Sequence, residues 1–105
     1  MKRYGIDLDG TLTIDNNGWD YANRTPNPDM IKIINGLYDE GHLITFFSSR
    51  FKIDRAVTTK WLKKYGVKYH ELILGKPKFD VYVDDINITP ENFMNDNERF
   101  LEDYG

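Results

Sequence analysis

Short apolar runs that alternate with stretches of helical spacing constrain this chain more than any other feature. The runs begin at Tyr4, Leu43, Glu71 and Phe79. Strands alternating with helices predict a parallel sheet with crossover helices, an α/β fold. Asn27 followed by Pro28 is a helix start, with Ile31, Ile34, Leu37 and Tyr38 at helical spacing and Gly41 as the stop. A second helix is expected from about Asp54 to Tyr65, with Val57, Trp61 and Tyr65 on one stripe and Gly66 after it. Thr89-Pro90 opens a last helix, whose apolar positions are Phe93, Phe100, Leu101 and Tyr104. The strands are expected from Tyr4 running into Asp7, and over Leu43 to Phe47, Glu71 to Leu74 and Phe79 to Val83. The second, nearly continuous in apolar residues, is expected to be covered on both faces.

The strand ends carry the chemistry. The first runs into Asp7-Leu8-Asp9-Gly10-Thr11-Leu12-Thr13, where two carboxylates two residues apart point the same way. Gly10 then permits a sharp turn. Ser48-Ser49-Arg50 closes the second run, Gly75-Lys76-Pro77 follows the third, and Asp84-Asp85 ends the fourth. Open α/β sheets place their sites at such ends. Acids at two strand ends, a hydroxyl at a third and a nearby lysine suit a hard cation and an oxyanion. Magnesium takes carboxylate oxygens together with substrate phosphate, and a hydroxyl and an ammonium suit the remaining phosphate oxygens.

Residues 14–26 are too polar for core and too long for a bare turn. Asp15-Asn16-Asn17-Gly18 is strong turn chemistry, and a small β-flap over the first strand end is expected. Trp19 and Tyr21 on that flap either pack beneath it or stack on substrate. His42 and His70 have no second histidine at ligand spacing and are assigned structural roles.

Composition excludes several classes. A chain of 105 residues suits a single domain, and 40% hydrophobic with 14% aromatic residues argues against disorder. The net charge of −3 and the absence of a basic run mean that any polynucleotide would be gripped locally. With no cysteine, disulfides and thiolate catalysis are excluded. No secretory signal or membrane span is visible, so a cytoplasmic location is expected.

In this order the motifs resemble those of the haloacid dehalogenase superfamily of phosphohydrolases. Asp7-Leu8-Asp9-Gly10-Thr11-Leu12-Thr13 is similar to its first motif, Ser48 to its second, Lys76 to its third and Asp84-Asp85 to its fourth. Asp20-Tyr21-Ala22-Asn23 and Gly75-Lys76-Pro77 resemble small capless phosphatases of capsule-polysaccharide biosynthesis. Ser48-Ser49-Arg50 and Asp84-Asp85 resemble the phosphatase half of polynucleotide kinase-phosphatases. The resemblance implies a three-layer Rossmann-like α/β/α core with a short parallel sheet, the flap and no cap domain. It implies a magnesium-dependent phosphatase with Asp7 as nucleophile and Asp9 as general acid/base. Ser48 and Lys76 would hold the phosphoryl oxygens, Arg50 would add a contact and Thr11 would support the nucleophile. The candidate metal ligands are Asp7, Asp9, Asp85 and Asp84. Neighbours on a strand face opposite ways, and the resemblance favours Asp85 as the direct ligand with Asp84 behind it.

Phe51-Lys52-Ile53 lead almost directly into the second helix, a shorter loop than in those relatives. Sugar phosphates, nucleotides and polynucleotide ends therefore all stay open as substrates. An open site suits a large substrate, or a homo-oligomer in which a neighbouring subunit supplies a lid. The alternative is a non-hydrolytic phosphate-binding or phospho-acceptor domain. A receiver domain would carry its acceptor Asp on a middle strand and its paired acids on the first, the reverse of this order. The intact Asp9 argues against a scaffold without turnover.

Overall fold

The computed structural model describes residues 1–15 and 18–102. Three parallel strands form its sheet: β1 (Arg3–Asp7), β2 (Leu43–Ser48) and β3 (Glu71–Leu74), in the spatial order β1-β2-β3. The helices are α1 (Pro28–Asp39), α2 (Arg55–Lys64) and α3 (Pro90–Asp96). The fold is thus α/β, a parallel sheet flanked by helices, as the alternation predicts. None of the described helices is long and apolar enough to cross a membrane.

Local chemistry explains the helix boundaries. The Asn27 side chain accepts from the Met30 amide at 3.2 Å and Pro28 takes the first helical position. Gly41, at φ 94°, ends α1: its amide donates to the Tyr38 carbonyl at 3.0 Å and that of His42 to Leu37 at 3.1 Å. This is the paired glycine cap. Gly66 repeats it after α2, with donors at Gly66 and Val67 and acceptors at Lys63 and Leu62. Thr89 caps α3 through the Asn92 amide at 3.2 Å.

The core forms where α1 lays Met30, Ile33, Ile34 and Leu37 against Ile6, Ile44, Phe46, Leu72 and Leu74, with Trp61 and Leu62 from α2 and Phe93 from α3. Strand β2 alternates instead of being covered on both faces. Ile44, Phe46 and Ser48 are buried, while Leu43 is exposed and Phe47 is half-buried. The Phe47 ring carries the Lys76 ammonium, 4.1 Å from its centroid, so the second face serves the site more than the core. Both histidines hold backbone: His42 Nδ1 accepts from the Lys2 amide and His70 Nδ1 from that of Ile44, each at 3.0 Å.

Two expected elements differ. Phe79 to Val83 forms no strand, and Phe79, Val81 and Val83 are exposed. The run folds back on itself: the Tyr82 hydroxyl donates to the Pro77 carbonyl, and the Phe79 and Tyr82 rings meet edge to face at 5.3 Å. Asp84 turns onto the Ile86 amide at 3.1 Å. These local bonds replace a ladder, and among the described residues β1 pairs with β2 alone. Among the described residues, the expected flap is paired at its base, by the antiparallel bridge between Thr13 and Pro26. Asp15 holds the Thr25 amide and hydroxyl there, each at 3.2 Å. Beyond it the chain makes a 3₁₀ turn, Tyr21–Asn23. Asn16, Asn17 and Tyr104 lie outside the described residues.

After α3, a 3₁₀ turn at Glu98–Phe100 sets the Phe100 ring on α1. A Cβ at Gly36 would stand 2.2 Å from Phe100 Cδ1. Alanine ordinarily gains about 1 kcal/mol over glycine inside a helix, but here overpacking by about 1–3 kcal/mol opposes it. Gly36→Ala should therefore lower stability in urea unfolding, and in a Phe100→Ala background the same change should become neutral or stabilising.

Candidate active site

The sheet register converges the site. Asp7 pairs beside Phe47, and Ser48 beside Leu74, at the carboxyl edge. Past Asp7, the Leu8 carbonyl accepts from the amides of Thr11, Leu12 and Thr13, at 3.3, 2.8 and 3.2 Å. Gly10, at φ 82°, makes that turn possible, and its amide donates to Thr13 Oγ1 at 3.1 Å. The loops after β2 and β3 are stitched together: the Lys76 amide donates to the Ser48 carbonyl at 2.9 Å and Gly75 to Arg50 at 2.8 Å.

The two carboxylates of the first motif have different surroundings. Asp9 is mostly buried, and both its oxygens are held by Arg50, Oδ2 from Nε at 3.0 Å and Oδ1 from Nη2 at 2.7 Å. Arg24 Nε stands 3.2 Å from the same Oδ1. The two arginines are themselves buried, with 2% and 5% of Arg50 and Arg24 exposed. Arg50 Nη1 also donates to Thr58 Oγ1 on α2 at 2.9 Å, and the Tyr21 ring covers the guanidinium at 4.0 Å. Arg24 donates to the Gly18 carbonyl at 3.0 Å, and its own carbonyl accepts from Trp61 Nε1 at 2.9 Å. The fork of Arg50 on a carboxylate is a strong, geometrically demanding contact.

Asp7 is half-exposed, and its nearest cation is Lys76, with Nζ 3.9 Å from Oδ1. Burial pushes the Asp7 carboxyl above its usual value; Lys76 and a backbone hydrogen bond at Leu8 oppose this, and the charge of Asp9 adds to it. Burial likewise raises the Tyr21 phenol. Asp7 and Asp9 share a cleft of about 400 Å³ with Tyr21, Arg24, Ser48, Arg50, Lys76 and Lys78. Four cationic side chains line it against two carboxylates, a surplus that suits an anion.

The sequence-expected residues divide. Asp7, Asp9, Ser48, Arg50 and Lys76 come together around this cleft. Ser48 Oγ is buried and accepts from the Arg50 amide at 3.1 Å. Arg50, expected on phosphate, has three of its nitrogens on Asp9 and Thr58. Thr11 and Asp84 instead line an adjoining cavity of about 530 Å³, between β1 and residues 82–93, whose wall Asp7 shares. Among the described residues, no three acids or histidines gather closely enough to hold a metal ion. Arg24 and Thr58 were not anticipated; neither stands in a pattern with the acids, and only the burial of Asp9 calls for them.

The fold and this edge define an α/β domain with an anion-suited cleft at the carboxyl ends of its strands. No family model and no curated protein matches the chain. It is 30% identical to an MCSG target from Vibrio cholerae solved by crystallography, over 95% of this chain and 96% of that one, with a TM-score of 0.82. The chain belongs to the same family as that Vibrio cholerae protein. It is also similar to a chain in a structure of the Pnkp1/Rnl/Hen1 complex, 25% identical over 98% of this chain, with a TM-score of 0.63. A structure of the Pnkp1/Rnl/Hen1 RNA repair complex shares the fold, at 20% identity over 96% of this chain and a TM-score of 0.62. The chain spans only 34% and 32% of the length of those two.

The raised Asp7 carboxyl has a signed consequence. The folded protein binds this proton more tightly than the unfolded chain, so its contribution is full below the ordinary carboxylate value of 3.8 and is lost as pH rises through the raised one. Asp7→Asn, which does not ionise, should melt higher than wild type at neutral pH in EDTA, and the difference should vanish on acidification. Thermal melts across pH check this.

Proposed function

We propose that this protein is a phosphomonoester hydrolase of the haloacid dehalogenase type, with Asp7 as its nucleophile. The observation that carries the reading is the contrast between two neighbouring carboxylates in one cationic cleft: Asp9 is clasped on both oxygens, whereas Asp7 faces the cleft with Lys76 Nζ 3.9 Å away. The similarity to Pnkp1-containing structures supports it at the level of fold and low identity.

An Asp7 oxygen attacks phosphorus in line, and the bond from phosphorus to the leaving oxygen breaks. The leaving oxygen takes a proton. Water then attacks the aspartyl-phosphate, releasing inorganic phosphate, losing a proton and restoring the Asp7 carboxylate. Lys76 stabilises charge on the transferring oxygens, and Ser48, whose hydroxyl hydrogen stays available, adds a donor. Asp9 is the proposed proton carrier, a role worth ~10²–10⁴-fold. Taking a proton there costs Asp9 part of its attraction to the two guanidiniums. Arg24 and Arg50 keep the cleft cationic and hold Asp9 in place.

Magnesium remains an expectation from the motifs, with Asp7 and Asp85 or Asp84 as its holders. The described acids are not assembled into such a site, and no step given to these side chains depends on the ion. The clasp on Asp9 favours one second reading, a domain that accepts phosphoryl on Asp7 and releases it slowly.

Phosphate release from p-nitrophenyl phosphate, sugar phosphates, nucleotides and a 3′-phosphorylated oligonucleotide, with magnesium or with EDTA, tests the proposal. Turnover by wild type, abolished in Asp7→Asn and reduced ~10²–10⁴-fold in an Asp9→Asn protein that still melts cooperatively, is expected. Phosphorylation without release would favour the acceptor reading. No reaction with any ester would contradict both.

A further inference from the structure

Trp19 and Phe51 come from separate loops, yet their rings lie parallel within 8°, with centroids 6.3 Å apart. They remain 75% and 60% exposed. Single exposed apolar side chains need no explanation, but two aligned ring faces beside a charged cleft are a specific arrangement. Trp19 itself lines that cleft. It meets Tyr21 edge on at 6.2 Å, and Tyr21 covers the Arg50 guanidinium at 4.0 Å. An aromatic run therefore leads from the clasp on Asp9 to the mouth.

We propose that the parallel faces of Trp19 and Phe51 form a platform for the nucleobase of a nucleoside monophosphate whose phosphate lies between Asp7 and Lys76. The inference rests on the phosphatase reading and names its substrate class. The cleft is polar and cationic at its floor and aromatic at its rim, which matches a ligand with an anion at one end and a planar ring at the other. A cleft of about 400 Å³ is on the scale of small-molecule sites. Every base has a π-face, so stacking accepts purines and pyrimidines alike. A sugar phosphate has none and offers the rim only C–H surface, so it gains less there.

The test is calorimetric binding of adenosine 5′-monophosphate, ribose 5-phosphate and inorganic phosphate to Asp7→Asn protein, which cannot turn over, with and without Trp19→Ala or Phe51→Ala. Both rings are largely exposed, so these variants should fold. The nucleotide should bind roughly tenfold or more tightly than ribose 5-phosphate, the scale of one base on an aromatic side chain. Either substitution should bring that ratio toward one. Inorganic phosphate binding with no nucleotide preference, or a preference that survives both substitutions, would overturn the platform and leave the anion site standing. Failure of all three to bind would remove the phosphatase reading and the platform with it.

Discussion

Asp9 is the charge around which this molecule is built. Two buried guanidiniums cannot stand side by side without an anion, and Asp9 supplies it to both Arg24 and Arg50. The cluster joins the turn after β1, the loop before α1, the end of β2 and, through Thr58 and Trp61, helix α2. Breaking a buried pair by removing one partner costs about 3–5 kcal/mol, against a net stability of about 5–15 kcal/mol for a typical domain. These contacts thus brace the site and a good part of the fold together.

The brace also divides labour between two chemically identical side chains. Period-two geometry sends Asp7 and Asp9 to the same side of the chain, but β1 ends at Asp7 and the two arginines reach Asp9 while Lys76 stands by Asp7, so their surroundings diverge. Asp9 is saturated. Asp7 is left partly desolvated beside a single ammonium at 3.9 Å, an arrangement that leaves a carboxylate oxygen available to an electrophile. Lys76 is held over the rings of Phe47 and Tyr82, at 4.1 and 4.2 Å, which fixes its ammonium near Asp7 without neutralising it by close contact.

Much of this was legible in the sequence because the signals are local. Asn27-Pro28, Gly41 and Gly66 mark helix ends through bonds within a few residues, and β3 occupies Glu71–Leu74 as the pattern predicts. The convergence of Asp7, Ser48 and Lys76 follows from the parallel sheet alone. What escaped was non-local. Phe79 to Val83 has strand composition, but a strand exists only with a ladder, and Tyr82 and Asp84 satisfy the backbone nearby instead. Arg24 looks like one surface charge among many in a polar segment. Its burial depends on Asp9 and Trp61, 15 and 37 residues away. Among the described residues, the segment pairs at its base, between Thr13 and Pro26.

The central claim is that of the two aspartates Asp7, not Asp9, takes the phosphoryl group. The most direct measurement is acid-quenched peptide mass spectrometry of wild-type protein caught early in reaction with its best phosphomonoester. A phosphoryl group on Asp7, absent from Asp9 and sensitive to hydroxylamine, is the predicted result. Phosphate release with no phosphorylated Asp7 at any time, or a phosphoryl group found on Asp9 instead, would contradict it.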